Sequence, residues 1–199
     1  MNRRKMSNKP DSHVGHLFVI SSPSGGGKST IIKHILEIRP DIEYSISATS
    51  RLPRKGEIDG KSYHFLSLDK FRDMISKGEF IEYEKVHDNY YGTTKKQIDD
   101  AVKRSVDLLM DLDVYGADRL KKIYPQAILI FLKPPSMEVL RQRLLARKSE
   151  SPEEIERRLE RGRHEVEMSV NYDYHVLNDD LETAVAGVVE IIDNIRRKP

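Results

Sequence analysis

Short apolar runs alternate along this chain with segments whose apolar residues recur every three or four positions. Residues 17–21 (LFVIS) read as a buried strand and 106–112, 127–132 and 174–177 as further strands, and a helical pattern over about 29–38 follows the first. A last helix presents Leu181, Val185, Val188, Val189 and Ile192 on one face. Two helix starts are marked. Ser151-Pro152-Glu153-Glu154 combines a capping serine, a proline at the first helical position and a glutamate three residues after the cap. Asp179 with Glu182 predicts the same device before the last helix. Strands alternating with helices imply an α/β fold, a parallel sheet covered by helices.

The alternation breaks between about residues 44 and 92. This stretch is rich in Tyr, Ser, Arg and Gly and sets strand-like "KSYHFLS" and "EFIEYEKV" around a short helix at 68–77. It reads as an inserted substrate lobe, over 45–92, within a core formed by 16–44 and 93–199. Residues 1–15 read as a flexible tail.

A chain of 199 residues suits one domain carrying such a lobe. The balance of 34 Lys+Arg against 32 Asp+Glu, a net charge of +2, gives no reason to expect nucleic acid or an anionic membrane as partner. With no cysteine, disulfides, thiolate metal sites and cysteine nucleophiles are excluded. The seven histidines show no metal-ligand spacing. The N-terminus lacks the apolar stretch of a secretory signal, and the apolar run at 127–132 falls far short of the ~20 residues that cross a bilayer. The expected location is the cytoplasm; homo-oligomerisation stays open.

The chemistry begins at "SSPSGGGKST", which follows the first strand and opens a helix. It matches G-x-x-x-x-G-K-[ST] except that Ser22 takes the first glycine's place. Backbone N–H groups over Ser24–Thr30 can face a phosphate, Gly25, Gly26 and Gly27 allow close approach, Lys28 supplies charge and Ser29 can ligate Mg²⁺. Ser22 is tolerable if its dihedrals stay ordinary, since that position mainly ends the strand. The expected ligand is a nucleotide phosphate.

A GTPase is one rival reading. Asp113 to Gly116 matches D-x-x-G and Asn8 to Asp11 matches N-K-x-D, but the latter precedes the cradle with no strand to position it. The inserted stretch points instead to a second phosphate-bearing substrate. Arg51 and Arg54 in "TSRLPRKGE" can present two guanidinium groups to one phosphate, Tyr63 and Tyr91 add hydroxyls, and Glu82 can accept hydrogens from a base edge.

With "SPSGGGKST", "SISATSRLPRKGEIDGKSYHF", "GEFIEYEKVHDNYYGT", "MDLDVYG", "FLKPPS" and "VLNDD" in this order, the sequence resembles the guanylate kinase family from about residue 17 to 195. The resemblance implies a P-loop NTPase core, a GMP-binding α+β lobe and a helical lid at about 143–165, with transfer of the ATP γ-phosphate to GMP or dGMP. It also implies that Ser47, Glu82 and Thr93 read guanine, with Asp113 close by, and that Arg51, Arg54, Tyr63 and Tyr91 hold the GMP phosphate. Arg147 and Arg158 would close over the transferring group beside Lys28, with Arg143 assisting, and Asn178 would lie at the adenine. Departures from the family pattern include Tyr115 where glutamine is frequent. Another nucleoside monophosphate or sugar-phosphate kinase, and a non-catalytic binding module, are the alternatives; the presence of Lys28, Ser29, Arg147 and Arg158 disfavours the module.

Overall fold

The computed structural model describes residues 15–146 and 151–197. Its elements run β1 (Leu17–Ser21), α1 (Lys28–Ile38), β2 (Glu43–Tyr44), β3 (Ala48–Thr49), β4 (His64–Phe65), α2 (Leu68–Ser76), β5 (Phe80–Val86), β6 (Asn89–Thr94), α3 (Lys95–Lys103), β7 (Leu108–Asp111), α4 (Val114–Ile123), β8 (Ile128–Lys133), α5 (Met137–Leu145), α6 (Pro152–Met168), β9 (Tyr174–Leu177) and α7 (Leu181–Arg196).

A five-stranded parallel sheet in the order β2-β7-β1-β8-β9 forms the centre. Every residue of β1 is buried, as its unbroken apolar sequence requires of a strand covered on both faces. Phe18 and Ile20 pack with Ile31 and Ile35 of α1 and Val185, Val188 and Ile192 of α7. Leu17 and Val19 point the other way, toward Ile98 and Ala101 of α3 and Ala117 and Leu120 of α4. The two-residue alternation of the strand thus divides the core into two layers.

Residues 48–94 build a second sheet, β4-β3-β6-β5, in which β5 and β6 form an antiparallel hairpin. Its own small core joins Ala48, Phe71 and Phe80, with the two phenylalanine rings stacked 4.4 Å apart. β6 runs directly into α3, so the lobe is anchored to the main sheet at both ends.

The Ser151 capping box forms as its sequence predicts. The last helix starts one residue later than expected. Asp180, not Asp179, caps α7, accepting the Thr183 N–H and the Thr183 hydroxyl, each at 2.8 Å. Two donors from one residue satisfy that register better than the Asp179–Glu182 pairing would. The two-residue strand β2 escaped the periodicity argument because it is too short to have a period. Of the expected tail, residues 1–14 lie outside the described residues.

At the edge of the sheet where β1 begins, a polar clasp joins distant parts of the chain. The fully buried Asp107 side chain accepts the His16 backbone N–H at 2.7 Å and pairs with Arg196 at the end of α7. Arg196 also meets Asp41 at 2.5 Å, and Arg39 at the end of α1 pairs with Asp41 and Asp193. Replacing Asp107 by Ala takes away the fully buried one of the two carboxylates that meet the poorly exposed Arg196 guanidinium, so D107A should lose about 3 kcal/mol of stability, a Tm drop of roughly 6–12 °C in a melting experiment.

Candidate active site

β1 delivers the chain at the carboxyl edge of the sheet, where open α/β sheets place ligands. There residues 22–27 bend into a loop before α1 begins at Lys28. Gly25 holds φ +88°, a left-handed conformation that strains any side chain, and a Cβ added to Gly26 would lie 2.8 Å from the Pro23 carbonyl oxygen, so both positions favour glycine. Ser22 is buried and donates its hydroxyl to the Pro23 carbonyl at 3.2 Å. Its φ is not positive, which answers the question raised by the missing first glycine. The Asn178 amide donates to the Gly26 carbonyl and braces the loop; this side chain is buried beside the loop backbone.

The loop encloses a cavity of about 340 Å³ lined by Ser22 to Thr30 together with Asp113, Arg161 and Glu165. Lys28 Nζ lies 2.5 Å from Asp111 Oδ1 and donates to the Leu112 carbonyl at 3.2 Å. A lysine parked on a carboxylate at the end of β7 is charge-balanced until an anion arrives.

The lobe assembles the second group of expected residues. Arg51 makes a bidentate pair with Glu57, Nη1 and Nη2 reaching Oε2 and Oε1 at 2.9 and 2.8 Å. The same carboxylate accepts the Arg54 backbone N–H at 2.6 Å. These hydrogen bonds, that of Arg51 foremost, hold the Glu57 carboxyl down at about 2. The Arg51 guanidinium carbon stands 5.5 Å from the Tyr63 ring centroid, and Tyr63 meets Tyr91 edge-on at 5.9 Å. Arg51 Nε is buried with no hydrogen-bond partner among the described residues. The Arg54 side chain is exposed beside this cluster.

Farther into the cleft, Glu82 pairs with Thr93 across the β5–β6 hairpin. Burial pushes the Glu82 carboxyl above its ordinary range, against the hydrogen bond from Thr93. Ser47 is half-buried and its carbonyl accepts the His64 N–H at 2.9 Å. Asp113 caps α4 through the Gly116 N–H at 2.8 Å. A cavity of about 360 Å³ opens here, bordered by Glu82, Tyr83, Glu84, Asp113, Tyr115, Arg119 and Arg161. It shares Asp113 and Arg161 with the cradle cavity.

Helix α6 covers the cradle. Arg158 Nη1 donates to the Ser24 hydroxyl at 3.2 Å, and the largely buried Glu165 accepts the Ser24 backbone N–H at 3.3 Å. Arg143 donates to the Asn178 carbonyl at 2.9 Å, buttressing the brace of the loop. Arg147 lies outside the described residues. Glu57, Arg119, Arg161 and Glu165 were not expected at the site. The four-residue spacing of Arg161 and Glu165 was a visible signal, but on a helix laced with charge it is indistinguishable from a surface pair. Glu57, six residues after Arg51, carried no signal at all.

The comparisons with known proteins agree with this arrangement. A family model described as guanylate kinase matches residues 14–195. The guanylate kinase of Chlorobium luteolum is 48% identical over 182 residues, covering 91% of this chain and 92% of that protein. That of Clostridioides difficile is 41% identical over 184 residues, with 92% and 90% covered. A crystal structure of guanylate kinase from Anaplasma phagocytophilum superposes with a TM-score of 0.72 at 32% identity, covering 94% of this chain and 89% of that one. A likeness reaching from before β1 to the end of α7 takes in the lobe and the covering helix as well as the cradle, and the chain belongs to the guanylate kinase family.

Proposed function

We propose that this protein transfers the γ-phosphoryl group of ATP to GMP, and to dGMP, giving ADP and the nucleoside diphosphate. The observation that carries this reading is the shared wall: a glycine cradle with Lys28 and a pocket bordered by Glu82 adjoin through Asp113 and Arg161. A phosphate oxygen of GMP attacks the γ-phosphorus, and the bond to the β–γ bridging oxygen breaks as ADP leaves. The attacking oxygen is already anionic, so no general base is needed; the work is to align two polyanions and neutralise their charge.

The donor phosphates lie in the cradle against the N–H groups of residues 25 and 27–30, since those of Ser24 and Gly26 are taken by Glu165 and the Pro23 carbonyl, and draw Lys28 from Asp111. The acceptor phosphate meets Arg51, Arg54, Tyr63 and Tyr91, and the unpartnered Arg51 Nε–H is a donor suited to one of its oxygens. Arg158, held at Ser24, supplies positive charge from the lid side, with Arg147 as its expected companion. Guanine offers N1–H and N2–H to the Glu82 carboxylate, whereas adenine would face it with an acceptor; Ser47 and Thr93 complete the base edge. Asn178 secures the shape of the cradle near the expected adenine.

Mg²⁺ fits this donor set. The Ser29 hydroxyl at the helix start and the Asp111 carboxylate, once released by Lys28, are hard oxygen ligands, and no cluster of three or more acidic, histidine or cysteine side chains occurs among the described residues. Such a site suits a cation held chiefly by phosphate oxygens and water. The ion would neutralise charge on the donor phosphates. Among the described residues no helix is long and apolar enough to cross a membrane. The cytoplasm is the proposed location.

A coupled ADP-release assay with GMP, dGMP, AMP and UMP tests the assignment; faster turnover of AMP or UMP than of GMP overturns it. Lys28→Met should lower kcat about a thousandfold, the loss expected for a group that stabilises transition-state charge, with the melting temperature little changed. Glu82 generates a pH signature. Its carboxyl stays protonated to a higher pH than the ordinary 4.5, and GMP needs the carboxylate. Where that carboxyl is protonated, GMP binding must displace the proton, so KM for GMP should rise as pH falls through the raised value and level off above it. Glu82→Gln should flatten that profile and erode discrimination of GMP from AMP by tenfold or more.

A further inference from the structure

Arg161 stands in the wall between the two cavities and bridges carboxylates that belong to different halves of the site. Nη2 donates to Asp113 Oδ2 at 3.2 Å and Nε to Glu165 Oε1 at 3.0 Å. The other oxygen of each carboxylate is engaged elsewhere. Asp113 Oδ1 accepts the Gly116 N–H, and Gly116 lies so close to Glu82 that a Cβ there would sit 3.0 Å from Glu82 Cγ. Glu165 Oε2 accepts the Ser24 N–H in the cradle. Hydrogen bonds thus run from the base-reading side of the cleft through Arg161 into the loop that faces the donor phosphates.

Burial makes this chain responsive. The Glu165 side chain is only 4% exposed, and a buried carboxylate that loses its cationic partner is strongly penalised. Arg161 and Glu165 therefore seat together, and Glu165 carries Ser24 with it. Arg158, three residues before Arg161 on α6, reaches the Ser24 hydroxyl, so the same seating sets the position of a guanidinium over the cradle. The planar fork of arginine can serve two carboxylates in different directions, which an ammonium cannot do equally well.

We infer that Arg161 is a positioning residue that couples occupancy of the acceptor pocket to order in the donor cradle, through Asp113, Glu165 and Ser24. The inference rests on the assignment of the two cavities to GMP and ATP. GMP settled beside Asp113 holds Arg161 in place and thereby seats Glu165 and Ser24; phosphates in the cradle favour the same seating. Each nucleotide then binds more tightly when the other is present, by the same factor in both directions.

Titration calorimetry on the full chain measures that factor as the ratio of GMP dissociation constants without and with a saturating, non-transferable β,γ-imido analogue of ATP and Mg²⁺. The wild type should show a ratio of about fivefold or more. R161Q and E165Q should each bring it close to one, R161K should keep an intermediate value, and the double variant should lose little beyond either single one, because both act on one chain. A ratio retained in R161Q and E165Q overturns the coupling, as does a wild-type ratio of one in protein that still phosphorylates GMP. A wild type that neither binds nor phosphorylates GMP overturns the functional assignment itself. Arg161 is half-exposed, so R161Q is a fair test without loss of the fold, and a melting curve checks this.

Discussion

A loop made largely of glycine cannot hold its own shape, yet phosphate recognition by backbone N–H groups demands a fixed one. The cradle between β1 and α1 is held from outside. Asn178 grips the Gly26 carbonyl, Ser22 and Gly26 both donate to the Pro23 carbonyl, Glu165 takes the Ser24 N–H, and Leu144 closes the space beside Gly25. These contacts come from the turn the loop itself makes at Pro23, from α5, from α6 and from the turn after β9. The parallel sheet matters because it brings those four places to one edge, and the division of the core by β1 into two packed layers keeps that edge rigid.

The same edge must tolerate a concentration of charge before any nucleotide is present. The structure does so by pairing cations with carboxylates: Lys28 with Asp111, Arg51 with Glu57, Arg161 with Asp113 and Glu165. Such pairs keep poorly hydrated charges compensated in the free protein. They also leave the cations poised, since phosphate oxygens are acceptors of the same geometry as the carboxylates they would replace. Away from the site, the Asp107–Arg196–Asp41 clasp does a purely structural job at the opposite edge of the sheet.

The pattern of apolar residues was enough to find β1, the helix after it and the later strands, and the Ser-Pro-Glu-Glu spacing to find the capping box at Ser151, because each of these depends on neighbours in sequence. The motif order singled out the glycine loop and the residues of the 45–92 stretch that the proposed function uses. β2 was missed because two residues have no periodicity, and they become a strand only by lying beside β7. The choice of Asp180 over the adjacent Asp179 turned on a second donor from Thr183, a matter of local geometry that two neighbouring acids leave undecided. Glu57, Arg119, Arg161 and Glu165 are ordinary charged residues in a chain that is 33% charged, and nothing in their types distinguishes them from a solvated surface.

By itself, then, the sequence determined the parallel α/β core, a glycine-rich loop with Lys28 and Ser29 after its first strand, and a stretch bearing arginines, tyrosines and Glu82 where the alternation breaks, because propensity, periodicity and motif spacing are local properties. The tertiary structure decided which charge faces which. Asp111 lies by Lys28 while Asp113 lies by Arg161, although the two aspartates are only two residues apart, because β7 ends between them and α4 begins. Arg161 and Glu165 join the site for a similar reason. An ion pair that would be a surface pair on an isolated helix becomes a bridge once folding lays that helix across the cradle and excludes water from one of its ends.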